Sequence, residues 1–395
     1  MVGLISVDAQ FFQTPDGEVW TKTMYEYHFW DRYLNVFDSI DVVSRMKIAS
    51  FDEVKGYLKS SGPRVKFKGL PMAIGTKEYL RHWKAFTKGA QEAVKGERCA
   101  VLRVPSVSSL FVEAAVRKRK IPYAIEVVVD PEDAYVDNKM AKVFLTHRLK
   151  NSAFKANGVS YVTQFALQQK YPSCARLHGD DFKHFESYYS SILLRKSYFT
   201  KPRNYMNHGR KYKIIHVANN FNNYIKGHKE VIEILSQLLH DGYDVNVEFI
   251  GDGTKRKEFE NFASDLGVRE KVNFIGLLSS PEAVRQELLS ADLFVFPTKA
   301  EGLPRVIIEA MAVGLPCVST PVNGIPELLD RENMFAPTDI NGFVQRIETL
   351  IDNPDQLTRA SIRNTEKAAE YEESILTQRR NEFYSKLLQI ANREH

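Results

Sequence analysis

Short apolar runs alternate with amphipathic stretches through the second half of the chain. The runs are rich in branched and aromatic residues, and they predict buried strands over residues 212–218, 245–250, 272–275, 293–296 and 316–319. Apolar residues at helical spacing predict helices between them, over residues 229–239, 256–266, 283–289 and 306–313. Strands that alternate with helices in this way predict a parallel sheet with right-handed crossovers.

The first half repeats this rhythm less regularly. The same criteria predict strands over residues 3–7, 41–44, 100–104, 123–129 and 160–163, and helices over residues 79–94, 109–118 and 139–154. The alternation is lost over 186–211, where polar and basic residues accumulate. We therefore predict a first α/β domain over 1–195, a linker over 196–211 and a second α/β domain over 212–356. The charged tail 357–395 is predicted to be helical, with a return toward the first domain as one option.

Composition limits the class of protein. A chain of 395 residues with 44% hydrophobic and 26% charged residues is typical of a globular protein with two domains. The three cysteines are widely spaced and form no disulfide or metal-ligand pattern, which favours a reducing compartment. We find neither a signal peptide nor an apolar run of roughly 20 residues. These features predict a cytoplasmic protein, with the inner face of the membrane as an option.

The charge is unevenly distributed along the chain. Residues 1–200 carry 30 Lys and Arg against 21 Asp and Glu, whereas residues 201–395 carry 24 against 28. A basic first half favours an anionic partner, such as a lipid-phosphate acceptor or an anionic membrane surface, and the segment 78–95 is a candidate interfacial helix. A solvated surface of uneven charge is the alternative. We expect no nucleic-acid partner.

The densest candidate chemistry lies after the strand predicted at 293–296. Glu301 and Glu309 flank a turn at Gly302, and an apolar helix follows this turn. Ligands of open α/β sheets bind at the carboxyl ends of the strands, and a helix N-terminus offers amide donors to an anion. Two carboxylates beside an anion site can accept hydrogen bonds from sugar or ribose hydroxyls. The segment therefore outlines a nucleotide-sugar site.

The stretch EGLPRVIIEAMAVGLPCVSTPVNGIPELL, residues 301–329, resembles the signature of the family 4 retaining glycosyltransferases of the GT-B fold. Segments 249–254, 272–276 and 291–297 are similar to other landmarks of that family, in the usual order. The resemblance covers about residues 212–345. It implies an α/β fold with two Rossmann-like parallel-sheet domains that face a central cleft, followed by C-terminal helices.

The resemblance also implies roles for the residues of this segment. Glu309 would bind the ribose hydroxyls of the nucleotide, and Glu301 would contact the donor sugar beside the reacting carbon. The turn at Gly302, with the backbone amides of Leu303 and Arg305, would help to hold the diphosphate. The side chain of Arg305 is either a phosphate ligand or solvated. For each glutamate, the alternative is a first-turn residue that only stabilises the helix dipole.

A second phosphate-binding element follows the first strand of this domain. Lys226 corresponds to the lysine that neutralises the diphosphate in the family. The arginine expected a few residues earlier is absent, because Asn219 and Asn220 occupy the end of the strand. An amide donates hydrogen bonds but neutralises no charge. Another cation is therefore needed, and Lys229 or an arginine of the first domain is a candidate.

Three further residues complete the implied donor site. Gly251 lies in a turn near the nucleotide, although a purely structural turn is an equal alternative. The backbone groups of Phe274 and Ile275 would lie beside the base. Such contacts reveal little about the identity of the base, but uracil is the commoner choice in the family.

The first domain would supply the acceptor side. Gly17 ends a loop predicted over 8–17, at the place of the family's acceptor loop. Asp130 and Gln164 follow predicted strands and are candidates to line the cleft; a structural role is the alternative for Asp130.

These observations predict a retaining glycosyltransferase of the hexosyltransferase type. It would move a sugar from a nucleoside-diphosphate sugar, with UDP favoured, to a hydroxyl of a glycan or lipid-linked acceptor, in cell-surface polysaccharide or glycolipid synthesis. No Asp-x-Asp triplet occurs, so we expect no metal, and no cofactor apart from the donor substrate. A sugar-nucleotide epimerase of GT-B architecture and a non-catalytic nucleotide- or glycan-binding relative are the alternatives.

Overall fold

Two units, each built on a parallel sheet, make up the chain in the computed structural model, which describes residues 1–134, 138–206, 209 and 211–393. The first unit comprises Met1–Tyr189 and Leu376–His395, and the second comprises Ser190–Ile375. Residues 207, 208 and 210 of the predicted linker lie outside the described residues, as do residues 394 and 395 of the predicted helical tail.

Nine strands of the first unit form one sheet within the described residues. They are β1 (Val2–Gln13), β2 (Val19–Thr21), β3 (Ser39–Ile48), β4 (Leu58–Lys59), β5 (Val65–Leu70), β6 (Ala100–Val104), β7 (Tyr123–Val127), β8 (Gly158–Tyr161) and β9 (Phe185–Tyr188). The parallel part has the order β5-β3-β1-β6-β7-β8-β9. The short strand β2 pairs antiparallel with the end of β1, and β4 pairs antiparallel with β2. The central strands β6, β7 and β8 are buried along their whole length, as expected for a parallel sheet covered on both faces.

Helices connect these strands. They are α1 (Asp31–Leu34), α2 (Thr76–Arg81), α3 (Trp83–Ala93), α4 (Val107–Lys118), α5 (Pro131–Ala134), α6 (Lys139–Lys155), α7 (Ala166–Lys170) and α8 (Cys174–His178). The last helix of the chain, α15 (Glu373–Arg393), lies in the first unit from Leu376 onward. Its Phe383 packs edge-to-face on Phe185 of β9, with ring centroids 5.1 Å apart.

The second unit repeats the plan on a smaller sheet. Its strands are β10 (Lys211–Asn220), β11 (Asp244–Asp252), β12 (Val272–Gly276), β13 (Leu293–Phe296) and β14 (Cys317–Ser319). All are parallel, in the order β12-β11-β10-β13-β14. Its helices are α9 (His228–His240), α10 (Arg256–Asp265), α11 (Pro281–Ser290), α12 (Arg305–Ala312), α13 (Ile340–Asp352) and α14 (Pro354–Ala369).

Several predicted elements differ from the observed ones in the first unit. The strand predicted over 3–7 continues to Gln13, because its second part pairs with both β2 and β3. The helix predicted over 79–94 is two helices, α2 and α3, separated at His82, whose backbone leaves the helical region. Strands β5 and β9 were not predicted. The sequence of β5, VKFKGL, alternates with lysines, and β9 is only partly buried.

No helix among the residues that the structure describes is long and apolar enough to cross a membrane.

Candidate functional site

The sheet of the second unit reverses its strand order at β10, where β11 lies on one side and β13 on the other. In open parallel sheets, ligands bind at the carboxyl ends of the strands beside such a reversal. The loops that follow β10 and β13 meet here. The Lys299 amide donates to the Ile225 carbonyl at 2.8 Å, and the Thr298 hydroxyl donates to the same carbonyl at 3.3 Å. Two segments that are distant in sequence are thereby joined at the expected ligand position.

Gly227 allows this close approach. Its φ of +82° is in the left-handed region, and a Cβ added there would lie 2.3 Å from the Pro297 carbonyl oxygen. The neighbouring Lys226 is thereby brought to the loop after β13, where its ammonium pairs with the carboxylate of Glu301. The side chains are 29% and 15% exposed, respectively, so the pair is partly shielded from water but accessible to a ligand.

The loop that carries Glu301 is fixed from the opposite side by residues that follow β14. The Asn323 side-chain amide donates to the Glu301 carbonyl at 2.7 Å, and the Gly324 amide donates to the Gly302 carbonyl at 2.9 Å. The positioning role of Asn323 was missed in the sequence. Its φ of +42° is a conformation that asparagine tolerates well, and the Asn-Gly pair after a strand was the available signal. Leu303 is buried beneath the same turn.

Glu309 lies on α12 and differs from Glu301 in having no donor. The helix begins at Arg305, so Glu309 is its fifth residue. Within the described part of the chain, its carboxylate has no hydrogen bond or ion pair. Burial raises the pKa of Glu309, and the charge of Arg305 only partly offsets this effect. An ionised carboxylate in this position would gain from hydroxyl donors on a ligand.

The carboxyl group of Glu301 is also affected by burial and by nearby cations. Burial raises the pKa of its carboxyl, whereas the charges of Lys226 and Arg305 act in the opposite direction. Arg305 is exposed at the start of α12 and forms no ion pair with a carboxylate of the described residues. The first amides of a helix lack partners within the helix, so an anion at this end would meet both a guanidinium and free N–H donors.

The end of β10 supplies no cation. Asn219 and Asn220 are exposed, and the Asn220 side-chain oxygen accepts from the Asn222 amide at 2.7 Å. Lys229, considered as a replacement for the missing arginine, instead pairs with Glu258 at 2.8 Å. Lys226 and Arg305 are therefore the cations that the structure brings to the two glutamates.

A buried histidine pair behind the Lys226 loop was not singled out in the sequence. The rings of His216 and His228 lie 4.8 Å apart, and His216 Nδ1 is 2.9 Å from the Val295 carbonyl oxygen. Burial lowers the pKa of His216 to about 4 and that of His228 to about 2. Both rings are therefore neutral near neutral pH, and neither supplies the missing positive charge.

The remaining donor-side residues have structural contacts. A Cβ at Gly251 would lie 1.7 Å from the Ala218 carbonyl oxygen, so this glycine permits close packing of β11 on β10. The Phe274 ring stacks on Phe249, with centroids 5.0 Å apart, and its carbonyl accepts from Arg256 at 2.9 Å. Ile275 follows on β12 and is partly buried.

The acceptor-side candidates lie in the first unit. Asp130 and Gln164 follow the neighbouring strands β7 and β8. Asp130 is fully buried, and its carboxylate interacts with Lys170 at 2.7 Å and with the Tyr171 hydroxyl at 2.6 Å. The loop predicted over 8–17 is mostly strand, because β1 continues to Gln13. Gly17 therefore lies in the exposed turn between β1 and β2.

Comparisons with known proteins show which proteins the chain is similar to. Residues 200–368 match the family model described as "Glycosyl transferases group 1". The chain is 27% identical to Protein CapJ of Staphylococcus aureus over 378 residues, which is 91% of this chain and 92% of that protein. It is 34% identical to the lipopolysaccharide core biosynthesis glycosyltransferase LpsE of Rhizobium meliloti, over 36% of this chain and 40% of that one.

A solved structure extends the similarity to the whole fold. Anabaena Alr3699/HepE in complex with UDP superposes with a TM-score of 0.67 at 17% identity, covering 98% of this chain and 100% of that one. The predicted α/β architecture with two parallel-sheet units and C-terminal helices is confirmed. The chain has the GT-B fold, and its residues 200–368 are similar to the group 1 glycosyl transferases.

Proposed function

We propose that the second unit binds a nucleoside-diphosphate sugar at the loops after β10 and β13, and that the chain transfers the sugar with retention to an acceptor hydroxyl. One observation carries this proposal: the Lys226–Glu301 pair lies at the reversal of strand order, and the half-buried carboxylate of Glu309 follows on α12. This arrangement offers cations for a diphosphate and carboxylates for hydroxyl groups.

The proposed chemistry requires positioning and charge stabilisation. Lys226, Arg305 and the amides at Leu303 and Arg305 would stabilise the diphosphate as the bond to the anomeric carbon breaks. Glu309 would accept from the ribose hydroxyls, and Glu301 from hydroxyls of the sugar. The departing diphosphate oxygen would take the acceptor proton while the acceptor oxygen bonds to the same face of the sugar, which gives retention. Gly251 and the backbone of Phe274 and Ile275 would border the nucleotide.

The first unit would hold the acceptor, with Gly17 and Gln164 as candidate contacts, whereas the buried Asp130 would act only by positioning the segment around it. We favour a UDP-sugar and a hexosyl group, because the structurally similar HepE is recorded in complexes with UDP and with UDP-glucose. The similarity to LpsE, a lipopolysaccharide core biosynthesis glycosyltransferase, favours cell-surface polysaccharide or glycolipid synthesis. We propose that this synthesis takes place on the cytoplasmic side of a membrane. We propose a metal-independent reaction, because Lys226, Arg305 and the helix amides would supply the positive charge and the donors that neutralise the diphosphate.

Product analysis tests the reaction class. The purified chain is incubated with UDP-hexoses, with and without glycan or lipid-linked acceptors, in the presence of a chelator. We expect free UDP that depends on the acceptor, and a new glycosidic bond with the donor's anomeric configuration by NMR. An epimer formed without an acceptor would support a sugar-nucleotide epimerase instead, and an inverted anomer would overturn the retaining mechanism.

A further inference from the structure

Helices α3, α4 and α6 pack side by side on one face of the first unit. The rings of Trp83 on α3 and Phe111 on α4 have centroids 4.9 Å apart. The Ser152 hydroxyl on α6 donates to Glu113 on α4 at 2.6 Å. Helix α4 follows β6 directly, α3 follows β5 after the short helix α2, and α6 follows β7 after the short helix α5. The beginnings of α2, α3 and α6 therefore share the carboxyl edge of this face.

Large apolar side chains are exposed along this edge. Six of them are between 55% and 85% exposed, and they will be called the edge patch: Ile74, Leu80, Trp83, Met140, Val143 and Phe144. Single exposed apolar residues are ordinary, but a group on one edge marks a surface that contacts something. Trp83 packs one side of its ring on Phe111 and leaves more than half of its surface exposed. The patch is therefore built on a rigid base.

Cations outnumber acidic residues around the edge patch. Helices α2, α3 and α6 carry six of these cations: Lys77, Arg81, Lys84, Lys88, Lys139 and Lys142. None of the six pairs with a carboxylate of the described residues within 4.0 Å. Glu78 on α2 accepts from the Ile74 amide, and Glu92 lies toward the end of α3, one turn from Lys88. Glu132 of α5 pairs with Lys170, and helix α6 has no acidic residue. The surface thus combines exposed apolar groups with unneutralised positive charge.

We propose that the edge patch docks the chain on an anionic phospholipid bilayer. Aliphatic and aromatic side chains would enter the boundary between headgroups and acyl chains, and the surrounding cations would pair with lipid phosphates. Tryptophan at the rim is favoured at this depth. An acidic protein partner would pair with the cations but would leave Met140 and Val143 without an apolar environment. The inference extends the proposed function, since a lipid-linked acceptor lies in such a bilayer, but it rests on the first unit alone.

Vesicle co-sedimentation with the full chain tests this proposal. The vesicles contain either phosphatidylcholine alone or an equal mixture of phosphatidylcholine and phosphatidylglycerol, without nucleotide. We expect the chain to sediment with the mixed vesicles, and added salt to weaken this binding by screening. Equal binding to neutral vesicles, or no binding to either type, overturns the proposal.

Matched variants locate the surface. Lys84→Gln/Lys88→Gln removes two cations, and at about fivefold for each charge we expect roughly 25-fold weaker partition to the mixed vesicles. Leu80→Gln/Phe144→Gln keeps the charge, and we expect at least about a tenfold loss from reduced apolar burial. Lys118→Gln/Arg119→Gln is the control, since it removes two exposed cations from the opposite end of α4, away from the patch.

The control should bind within about twofold of the unchanged chain, because only unspecific charge is lost there. If the control loses as much binding as the patch variants, the assigned surface is wrong. Circular dichroism and thermal melting verify that each variant is folded. Stabilisation by nucleotide is measured in parallel: a chain that binds vesicles but no nucleotide would contradict only the proposed function.

Discussion

Glu126 of the first unit is fully buried and Glu309 of the second is half-buried, and the surroundings of the two carboxylates are opposite. Glu126 is fully enclosed, and its two oxygens accept four hydrogen bonds from Tyr33, Arg103, Tyr189 and Tyr384, at 2.5–3.0 Å. Burial alone would raise the pKa of Glu126, but the charge of Arg103 and the phenol hydrogen bonds lower it below its usual value.

Glu309 has burial without these donors, and its pKa is raised. The difference separates a structural carboxylate from a candidate binding group. Glu126 satisfies its oxygens within the protein and ties α15 to the sheet through Tyr384. The oxygens of Glu309 accept from no donor of the described residues, so they are open to the hydroxyl groups of a ligand. Substituting each residue in turn tests this contrast.

The largest effect is expected from Glu309→Ala. Removal of the carboxylate should abolish transfer, a loss on the order of 10³-fold or more in kcat/KM, because the ribose hydroxyls lose their acceptor in a preorganised site. Circular dichroism should show the fold of the unchanged chain, and the thermal midpoint should not fall, because the carboxylate that is removed is held at a raised pKa by burial. Full activity in the folded variant would show that Glu309 is not part of the donor site.

Glu126→Gln should act on stability instead. The substitution keeps the shape but removes the charge opposite Arg103, and breaking such a buried pair costs about 3 kcal/mol of unfolding free energy. Urea denaturation measures this change, and Glu309→Gln is the matched control, which should leave the first unit unaffected. If both variants are equally stable, the network around Glu126 does not have the structural role assigned to it.

A smaller effect is expected from Lys226→Ala. Loss of its ammonium should weaken binding of the diphosphate about 10- to 100-fold, as for a charged contact worth a few kcal/mol. Lys229→Ala is the comparison, because Lys229 lies on the same segment but pairs with Glu258. Calorimetric titration with UDP reports both. Similar losses in the two variants would mean that overall charge, rather than the position of Lys226, determines binding.

The smallest effect concerns pH. The folded pKa of Glu309 is above its usual 4.5, so its contribution to stability is complete below that pH and is lost as pH rises through the folded pKa. Glu126 has a lowered pKa, so its contribution is complete above 4.5 and is lost as pH falls through the folded pKa. Glu309→Gln should therefore match the unchanged chain below pH 4.5 and be the more stable of the two near neutral pH. Denaturation midpoints measured from below pH 4.5 to neutral pH check both pH dependences. If Glu309→Gln became more stable than the unchanged chain as the pH falls, the raised pKa of Glu309 would be wrong.

The second unit could be predicted well because its buried strands are continuous apolar runs separated by regular helices. The first unit was harder. Strand β5 alternates with lysines, and the pairing of β1 beyond Val7 depends on β2 and β3, which no local pattern reveals. The spacing of apolar residues reveals a helix or strand that buries one face. It does not reveal the length of a strand when that length depends on pairing with strands elsewhere in the chain.

The candidate site divides in the same way. The positions of Glu301, Glu309 and Lys226 after strands could be predicted from sequence, because strand ends and glycine turns are local features. The pairing of Lys226 with Glu301 could not, since it depends on Gly227 packing against Pro297. The donors that surround Asp130 likewise come from α7 and its end, far along the chain from that residue.

Nucleotide binding by the unchanged chain and by Glu309→Ala tests the central claim most directly. Thermal unfolding is followed with UDP, other nucleoside diphosphates and their sugars. If the donor site is assigned correctly, at least one of these ligands raises the thermal midpoint of the unchanged chain. At a ligand concentration a hundredfold above Kd, this corresponds to about 2.7 kcal/mol of added unfolding free energy, and Glu309→Ala should lose most of it. No stabilisation by any of these ligands, or equal stabilisation of both proteins, would contradict this assignment.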